Sequence, residues 1–388
     1  MHSLITLATL IVAASAARPF LNEPNTGLEE YLGAGFPVGK LPNLTDIRGI
    51  PDFDFAARNY LNASSYSFYR TGAAGEWSYR NNLEAFSRVR WRPQVLNDVH
   101  SLASTLPAPF FIAPAARAGL ANDAAESNLV KAAYAGDILY IPAIYATLSI
   151  EQIAAVKPVN GSQILFQQLY AAANLTAVQN SLDRAKAAGS KAIVFTIDAP
   201  ATSTRHRAAR YGLGNANSDT ATLTWALYAQ LHNMTSLPII LKGTTTVDDV
   251  HKANSVGAPA IYVSNYGGGQ LDGSPSPLEI CLEIYESDPT LFQKTEIYAD
   301  SGVRYGTDVL KLLSLGVRAV GLGRQFLYAN AYGVAGVTHL IELLKTEIAA
   351  DTANAGIQDV RKIQKERVNW NPLTTNGFRG EKEGVGAG

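Results

Sequence analysis

Polar side chains and glycines recur at one place in this 388-residue chain: just past the C-terminal ends of short apolar runs. Gln168 and Tyr170 end QILFQQLY, Thr196 and Asp198 fall in AIVFTIDAP, and Lys242 falls near the end of PIILKGT. Ser264, Asn265 and Tyr266 follow AIYV, Asp300 to Arg304 follow EIYA, and Gly323 with Arg324 follow AVGL. The stretches DSGVRYG and GLGRQF each set small residues beside an arginine. Glycines let backbone N–H groups approach an anion, and a guanidinium can hold it bidentately, so these two stretches read as a phosphate cradle. The plainer alternative is a pair of tight turns with solvated arginines. Lys242, at the end of a wholly apolar strand, is costly to leave unpaired. A bound anion, a ring that becomes anionic on reduction, or an ion pair with Asp198 or Asp300 would each compensate it.

Such residues need a scaffold that brings strand ends together. The apolar runs cover 110–116, 137–143, 163–170, 192–200, 238–244, 260–268, 296–303 and 319–326, with helical spacing near 122–135, 149–156, 174–188, 222–232, 246–256, 277–286, 306–315 and 329–350. Asn122, Ser149, Asn174 and Thr246 stand where helix caps belong. Strands apolar on both faces that alternate with helices predict a parallel sheet covered on both sides. Eight such units in roughly 220 residues predict a single (β/α)₈ barrel with its reactive groups at the C-terminal ends of the strands. An open doubly wound sheet is disfavoured because no G-x-G-x-x-G follows an early strand. The expected organisation is a signal peptide over 1–17, an aromatic-rich N-terminal arm over 18–108 with a helical segment at 53–70, and the barrel over 109–350. A C-terminal extension over 351–388 follows, with a disordered Gly-rich tail from Leu373.

Composition narrows the partners. Thirty-two basic against 33 acidic residues leave no basic excess for nucleic acid. One cysteine, Cys281, excludes an intrachain disulfide and a thiolate-rich zinc site. His100, His232, His251 and His339 show no metal spacing. Leu4 to Ala17 is a short apolar run ending in small residues, as in a secretory signal peptide, although a basic n-region is missing. A secreted chain without a membrane anchor is therefore expected. Sequons at Asn43, Asn62, Asn160, Asn174 and Asn233 fit a glycoprotein but lend it little weight. Self-association is left open.

The stretches SYSFYRTGAAGEW, FFIAPAA, FQQLY, FTIDAP, LPIILKG, SNYGGGQLDGSPSP, DSGVRYGTDVLKLLSLG and GLGR, in this order from about 53 to 350, resemble the FMN-dependent α-hydroxy acid oxidase/dehydrogenase family. The resemblance implies the (β/α)₈ fold and an FMN site. By matched position Gln168 and Thr196 would bond the isoalloxazine ring, with Ala113, Pro114 and Ala115 against it and Ser264 nearby. Lys242 would sit at the ring's N1–O2 edge, and Asp300, Gly302, Arg304, Gly323 and Arg324 would hold the ribityl and phosphate.

The substrate side departs from the family. Its SNHGxRQLD supplies a proton-removing histidine and a carboxylate-gripping arginine; here Tyr266 and Gly269 stand at those places. The arm's tyrosine is matched by Phe68, while Tyr145, Tyr170 and Arg205 remain at substrate-facing positions. An ordinary tyrosine, with a pKa of about 10, is a poor base. The stretch between Asp198 and Leu237 is shorter than the family's lid-bearing loop, which implies a more open mouth. His206 is the nearby candidate for a surrogate base, against a plainer reading as a solvated loop residue. The expected function is an FMN oxidoreductase, with dioxygen as acceptor, acting on a nonstandard and less acidic small molecule; Tyr266, Arg205 and Tyr170 are its catalytic candidates. A redox-neutral FMN isomerase or cyclase, and a catalytically inactive FMN-binding barrel, are the alternatives.

Overall fold

The computed structural model describes residues 26–97, 108–159, 161–213 and 222–374. The run read as a signal peptide, the sequon at Asn160 and the tail beyond 374 lie outside them. Seven strands form one parallel sheet: β1 (Phe110–Ile112), β2 (Gln167–Leu169), β3 (Ile193–Thr196), β4 (Ile239–Thr244), β5 (Ala260–Val263), β6 (Glu296–Ala299) and β7 (Ala319–Leu322). They are hydrogen-bonded in the order β1-β7-β6-β5-β4-β3-β2. Tyr140 joins the two ends, bridging to Ile112 on one side and Leu165 on the other. The sheet is thus a (β/α)₈ barrel whose second position is one bridging residue. The run 137–143, expected as a strand, is cut short because Pro142 has no N–H to extend the ladder.

Strand alternation divides the core. Ile112, Ile193, Phe195, Leu241, Ile261 and Val263 pack outward under the helices. Phe111, Ile141, Val194, Ile240 and Tyr262 fill the barrel axis. Gly321 keeps that plug intact, since a Cβ there would come 2.3 Å from the Tyr262 hydroxyl and 3.1 Å from the Phe111 ring. The next residues of inward parity are Ala115, Gln168, Thr196, Lys242, Ser264, Asp300 and Gly323. Alternation alone therefore sends the sequence's polar candidates to the rim.

The arm is built of α1 (Ile50–Tyr60), α2 (Ala63–Arg70) and α3 (Trp77–Arg88). The helical segment expected at 53–70 is two helices, because Asn62 stops the first and caps the second, accepting from Ser65 N at 2.8 Å. The barrel helices are α4 (Glu126–Ala135), α5 (Ile150–Ala155), α6 (Leu175–Ala187), α7 (Trp225–Met234), α8 (Val247–Ser255), α9 (Pro277–Ser287), α10 (Gly306–Ser314), α11 (Arg324–Ala329) and α12 (Gly333–Asn354). Ser149, Asn174 and Thr246 cap α5, α6 and α8 as expected. Asn122 does not cap α4. Its side chain accepts from Ala124 N and Asn128 Nδ2, and the left-handed Ala125 (φ 48°) delays the helix to Glu126. The helix expected at 329–350 starts later, as α12, after a 3-10 turn at Asn330–Tyr332 and the positive-φ Gly333 (67°).

The arm docks on the rim through α3. Asn82 and Asn265 exchange reciprocal amide hydrogen bonds of 2.9 and 2.7 Å. Asp272 accepts from Gly75 N and Ser78 N, both at 2.9 Å. Glu76 accepts from Arg207 Nε at 3.0 Å, Arg207 Nη2 at 2.8 Å and Gly72 N at 3.1 Å, with the buried Arg70 at 3.6 Å. Past the barrel, Arg90 and Trp91 pair antiparallel with Asn369 and Val368. Leu373, expected to open the disordered tail, is instead buried in a turn of helix over Asn371–Thr374 that packs on α3.

Burial alone would raise the Glu76 pKa, but the Arg207 hydrogen bonds, Arg70 and the Gly72 N–H outweigh it and hold it down at about 2. A carboxylate whose folded pKa is depressed stabilises the fold above its unfolded pKa and loses that effect as pH falls through the folded one. Glu76→Gln should cost ~3 kcal/mol at pH 7, because it strands buried guanidinium charge. It should also flatten the stability loss between the ordinary carboxyl pKa of 4.5 and about 2. Urea denaturation of both proteins from pH 7 to pH 3 checks this; an unchanged pH dependence would contradict the clamp.

Candidate active site

The inward residues past the plug line a cleft of about 1250 Å³, open mouth included. One flank is Ala113 to Ala116, the arm supplies Phe68, Tyr69 and Thr71, and the far wall is Asp300 to Arg304 with Gly323 and Arg324. Gln168 donates to Thr196 Oγ1 at 3.0 Å and accepts from Ile144 N at 3.0 Å, which fixes its amide orientation. Lys242 donates to Ser264 Oγ at 3.0 Å and lies 3.9 Å from Asp300 Oδ2. Of the two carboxylates considered as ion partners for Lys242, Asp300 is the one at ion-pair distance. Its ammonium still faces the cleft, 5.4 Å from the centre of the Tyr266 ring. Ser264 is fully buried behind the lining, where it also accepts from Tyr266 N at 3.1 Å.

The 300–304 turn is shaped from outside the cleft. Asp308, buried beside Lys311, accepts from the backbone N–H groups of Arg304 and Tyr305 at 3.0 and 3.1 Å. Gly302, at φ 86°, has no room for a side chain: a Cβ would come 1.9 Å from the Asn82 carbonyl of α3. Gly323, by contrast, faces open space within 4 Å. Arg304 is buried and lines this wall. Arg324 also lines it, but in a bracing geometry. It donates from Nε to Tyr69 O, from Nη2 to Thr71 O, and from both Nη1 and Nη2 to Gly267 O, at 2.9–3.1 Å. It ties the end of α2 to the turn after β5.

That turn holds the candidate catalytic tyrosine. Tyr266, Gly267 and Gly268 all take positive φ (59°, 63° and 74°). Their N–H groups are fixed by Ser264 Oγ, Ser301 Oγ and Asn265 Oδ1. The result points the Tyr266 ring into the cleft, its hydroxyl hydrogen-bonded to that of Tyr170. Arg205 lies over the Tyr266 ring at 5.3 Å. Its Nε donates to Ser203 Oγ and Gly269 O and its Nη2 to Gln270 Oε1, each at 2.9 Å. Tyr145 stacks on Tyr170 with centroids 5.6 Å apart and planes at 25°. Burial, and then the neighbouring Tyr266, push the Tyr170 pKa well above the ordinary phenol value. His206 is exposed at the start of a four-residue helix and is not among the described lining residues.

Three polar lining residues fell outside the candidates named from sequence: Tyr69, Thr71 and Gln325. Only chain folding could reveal the first two, which come from the arm. Asp198 is different again. Both of its carboxylate oxygens are buried without a hydrogen-bond partner, and it faces a neighbouring cleft walled by Phe195, Trp225 and Tyr228. Burial, followed by repulsion from Asp300 and against the attraction of Lys242, raises its pKa to about 6.

The family described as FMN-dependent dehydrogenase matches residues 57–222 and 213–370. The chain is 30% identical over 369 residues to L-lactate dehydrogenase (cytochrome) of Saccharomyces cerevisiae, covering 86% of this chain and 62% of that protein. It therefore spans less than two thirds of that relative. It is 30% identical over 360 residues to glycolate oxidase 1 of Zea mays, covering 83% of this chain and 96% of the oxidase. Among solved structures, the recombinant flavin-binding domain of baker's yeast flavocytochrome b2 matches with a TM-score of 0.81 at 30% identity, over 88% of this chain and 91% of that one.

The orphaned Asp198 generates a pH prediction. A carboxyl whose folded pKa is raised favours the fold below its unfolded pKa, and that benefit is lost as pH rises through the folded value. Stability should therefore fall between the ordinary value of 3.8 and about 6. Asp198→Asn should remove that slope and raise stability at pH 7 by up to ~3 kcal/mol. Melting temperatures from pH 4 to pH 8 test it, and a variant less stable than the parent at pH 8 would show that the carboxylate has a partner.

Proposed function

The chain belongs to the FMN-dependent dehydrogenase family, the α-hydroxy acid oxidoreductases, and on that footing we propose that it is an oxidase-type FMN enzyme whose substrate is not a small free α-hydroxy acid. Its cofactor is FMN. The cleft suits that group: an open face at Gly323, a buried arginine at Arg304, an oriented amide at Gln168 and a buried ammonium at Lys242. Gln168, Thr196 and Lys242 would hold the ring, with the Ala113–Ala115 backbone against it. Asp300, Gly302, Arg304 and Gly323 would hold the ribityl and phosphate, and Arg324 would keep the wall in place behind them. When bound, FMN takes up the two electrons that leave the substrate carbon.

The observation that carries the proposal is the Tyr170–Tyr266 hydroxyl pair at the substrate end of the cleft. Tyr170, kept protonated by burial, can donate to Tyr266, which would free the Tyr266 hydroxyl to donate to a substrate oxygen. Tyr266 is then a donor that polarises the substrate, not a base. Arg205 orients it through cation–π contact and holds the 266–270 turn. The relatives' names, a dehydrogenase and an oxidase, favour neither the redox-neutral nor the inactive alternative. Similarity along 96% of an oxidase supports dioxygen as acceptor. We also propose entry into the secretory pathway, on the character of Leu4–Ala17 alone.

Purified protein reconstituted with FMN should show a flavin spectrum; its absence would end the proposal. Arg304→Gln should weaken FMN retention at least ~10-fold, as loss of a charge-assisted contact implies. Tyr266→Phe should keep FMN but slow anaerobic bleaching by substrate ~100-fold. Gly269→Arg alone should be strained, since a Cβ there meets Tyr266 O at 3.0 Å and its ring at 3.2 Å. Combined with Tyr266→His it should confer oxidation of glycolate or L-lactate, followed as oxygen uptake; no gain would place the pocket's divergence elsewhere.

A further inference from the structure

We infer that Asn62 and Asn174 carry N-linked oligosaccharide, an inference that rests on the proposed entry into the secretory pathway and names the positions modified there. A sequon is compatible with a bulky sugar only where the folded chain leaves it at the surface. The number of sequons says little; their placement in the fold says more. Asn81, Asn82, Asn128, Asn265 and Asn330 are buried, and none of them lies in a sequon. Each spends its amide N–H inside the protein, on Glu279, Asn265, Asn330, Asn82 and the Ala118 carbonyl respectively, at 2.7–3.0 Å. The four sequon asparagines among the described residues, Asn43, Asn62, Asn174 and Asn233, are all exposed.

Amide chemistry separates these four. The sugar is joined to Nδ2, so the fold must not need that nitrogen. Asn62 caps α2, accepting at Oδ1 from Ser65 N at 2.8 Å, and Asn174 caps α6, accepting from Thr176 N at 2.9 Å. Both caps use the oxygen alone, and neither Nδ2 has a hydrogen bond among the described residues. With the oxygen turned to the helix end, the planar amide points its nitrogen the other way. Both residues have extended backbone, ψ 155° and 104°, and so stand in the turn before the helix. Asn43 instead donates its Nδ2 to Asp46 at 3.3 Å, and Asn233 lies inside α7. In the transfer, Nδ2 displaces the diphosphate of a lipid-linked oligosaccharide. The Nδ2–C1 bond forms, the C1–O bond to the diphosphate breaks, and one amide proton is released. Oδ1 is untouched, so cap and sugar coexist.

Expression of the full chain, with its own N-terminus, in a eukaryotic host tests this. Enzymatic removal of N-linked sugar leaves a carboxylate at each modified amide, so the exported protein should show Asn62→Asp and Asn174→Asp in its peptide masses. Ser64→Ala and Thr176→Ala should each delete one step of the gel shift while the cap bonds stay, because those bonds use the Ser65 and Thr176 backbone N–H. Asn62→Gln would delete the same step as Ser64→Ala but would also lose the cap, so the hydroxyl variants decide. Exported chain with either asparagine unmodified would overturn the inference while leaving the secretory reading intact. A chain that stays inside the cell would overturn the secretory reading instead. The same chain behind a surrogate leader then decides the sites, and unmodified asparagines there would overturn them as well.

Discussion

Alternate residues of a closed parallel barrel must point at its axis, and here that axis is filled. Phe111, Ile141, Val194, Ile240 and Tyr262 occupy it, with Gly321 giving way to the Tyr262 hydroxyl. A polar side chain of inward parity is tolerable only beyond this plug, where water or a ligand can satisfy it. Gln168, Thr196, Lys242, Ser264 and Asp300 meet that condition, each two residues past an inward apolar or aromatic one. Everything proposed for the cleft depends on this alternation, because it brings residues far apart in sequence onto one rim.

The barrel makes only part of the cleft. Helix α3 presses so closely on the rim that Gly302 and the Asn82 carbonyl exclude any side chain between them. The Asn82–Asn265 amide pair satisfies two buried groups that would otherwise be costly. Arg324 then joins Tyr69 and Thr71 of the arm to Gly267 of the turn after β5. A guanidinium with three such acceptors is a structural brace, and it couples the arm's position to that of Tyr266. Loosening the arm would move the aromatic wall and the polarising hydroxyl together.

The departures from the family pattern are likewise coupled. Tyr266 in a left-handed conformation places its ring over the small residue at 269 and under Arg205. Arg205, free of any side chain at 269, bonds the backbone there instead. The arrangement is self-consistent, so Tyr266, Gly269 and Arg205 form one alternative packing of the pocket. Asp198 remains outside it, a buried carboxylate without a hydrogen-bond partner.

The amino-acid order by itself determined the barrel, since two-residue and helical periodicities alternate along it, and it determined which residues reach the rim, since parity is a local property. It also carried the family, through motifs such as FQQLY, LPIILKG and DSGVRYG. Local rules failed where tertiary contacts overrode them. Proline reduced the second strand to Tyr140, Ala125 displaced the cap expected at Asn122, and packing against the arm kept Leu373 buried. Only the folded chain decided where the charges act. Arg304 and Arg324 have similar sequence settings, yet one is a buried wall residue and the other a brace to backbone carbonyls. Arg205 is likewise turned from a grip into a support. Donor commitment depends on which carbonyls lie within 3 Å, and those carbonyls come from the arm and from the turn after β5, distant in sequence from the arginines they hold.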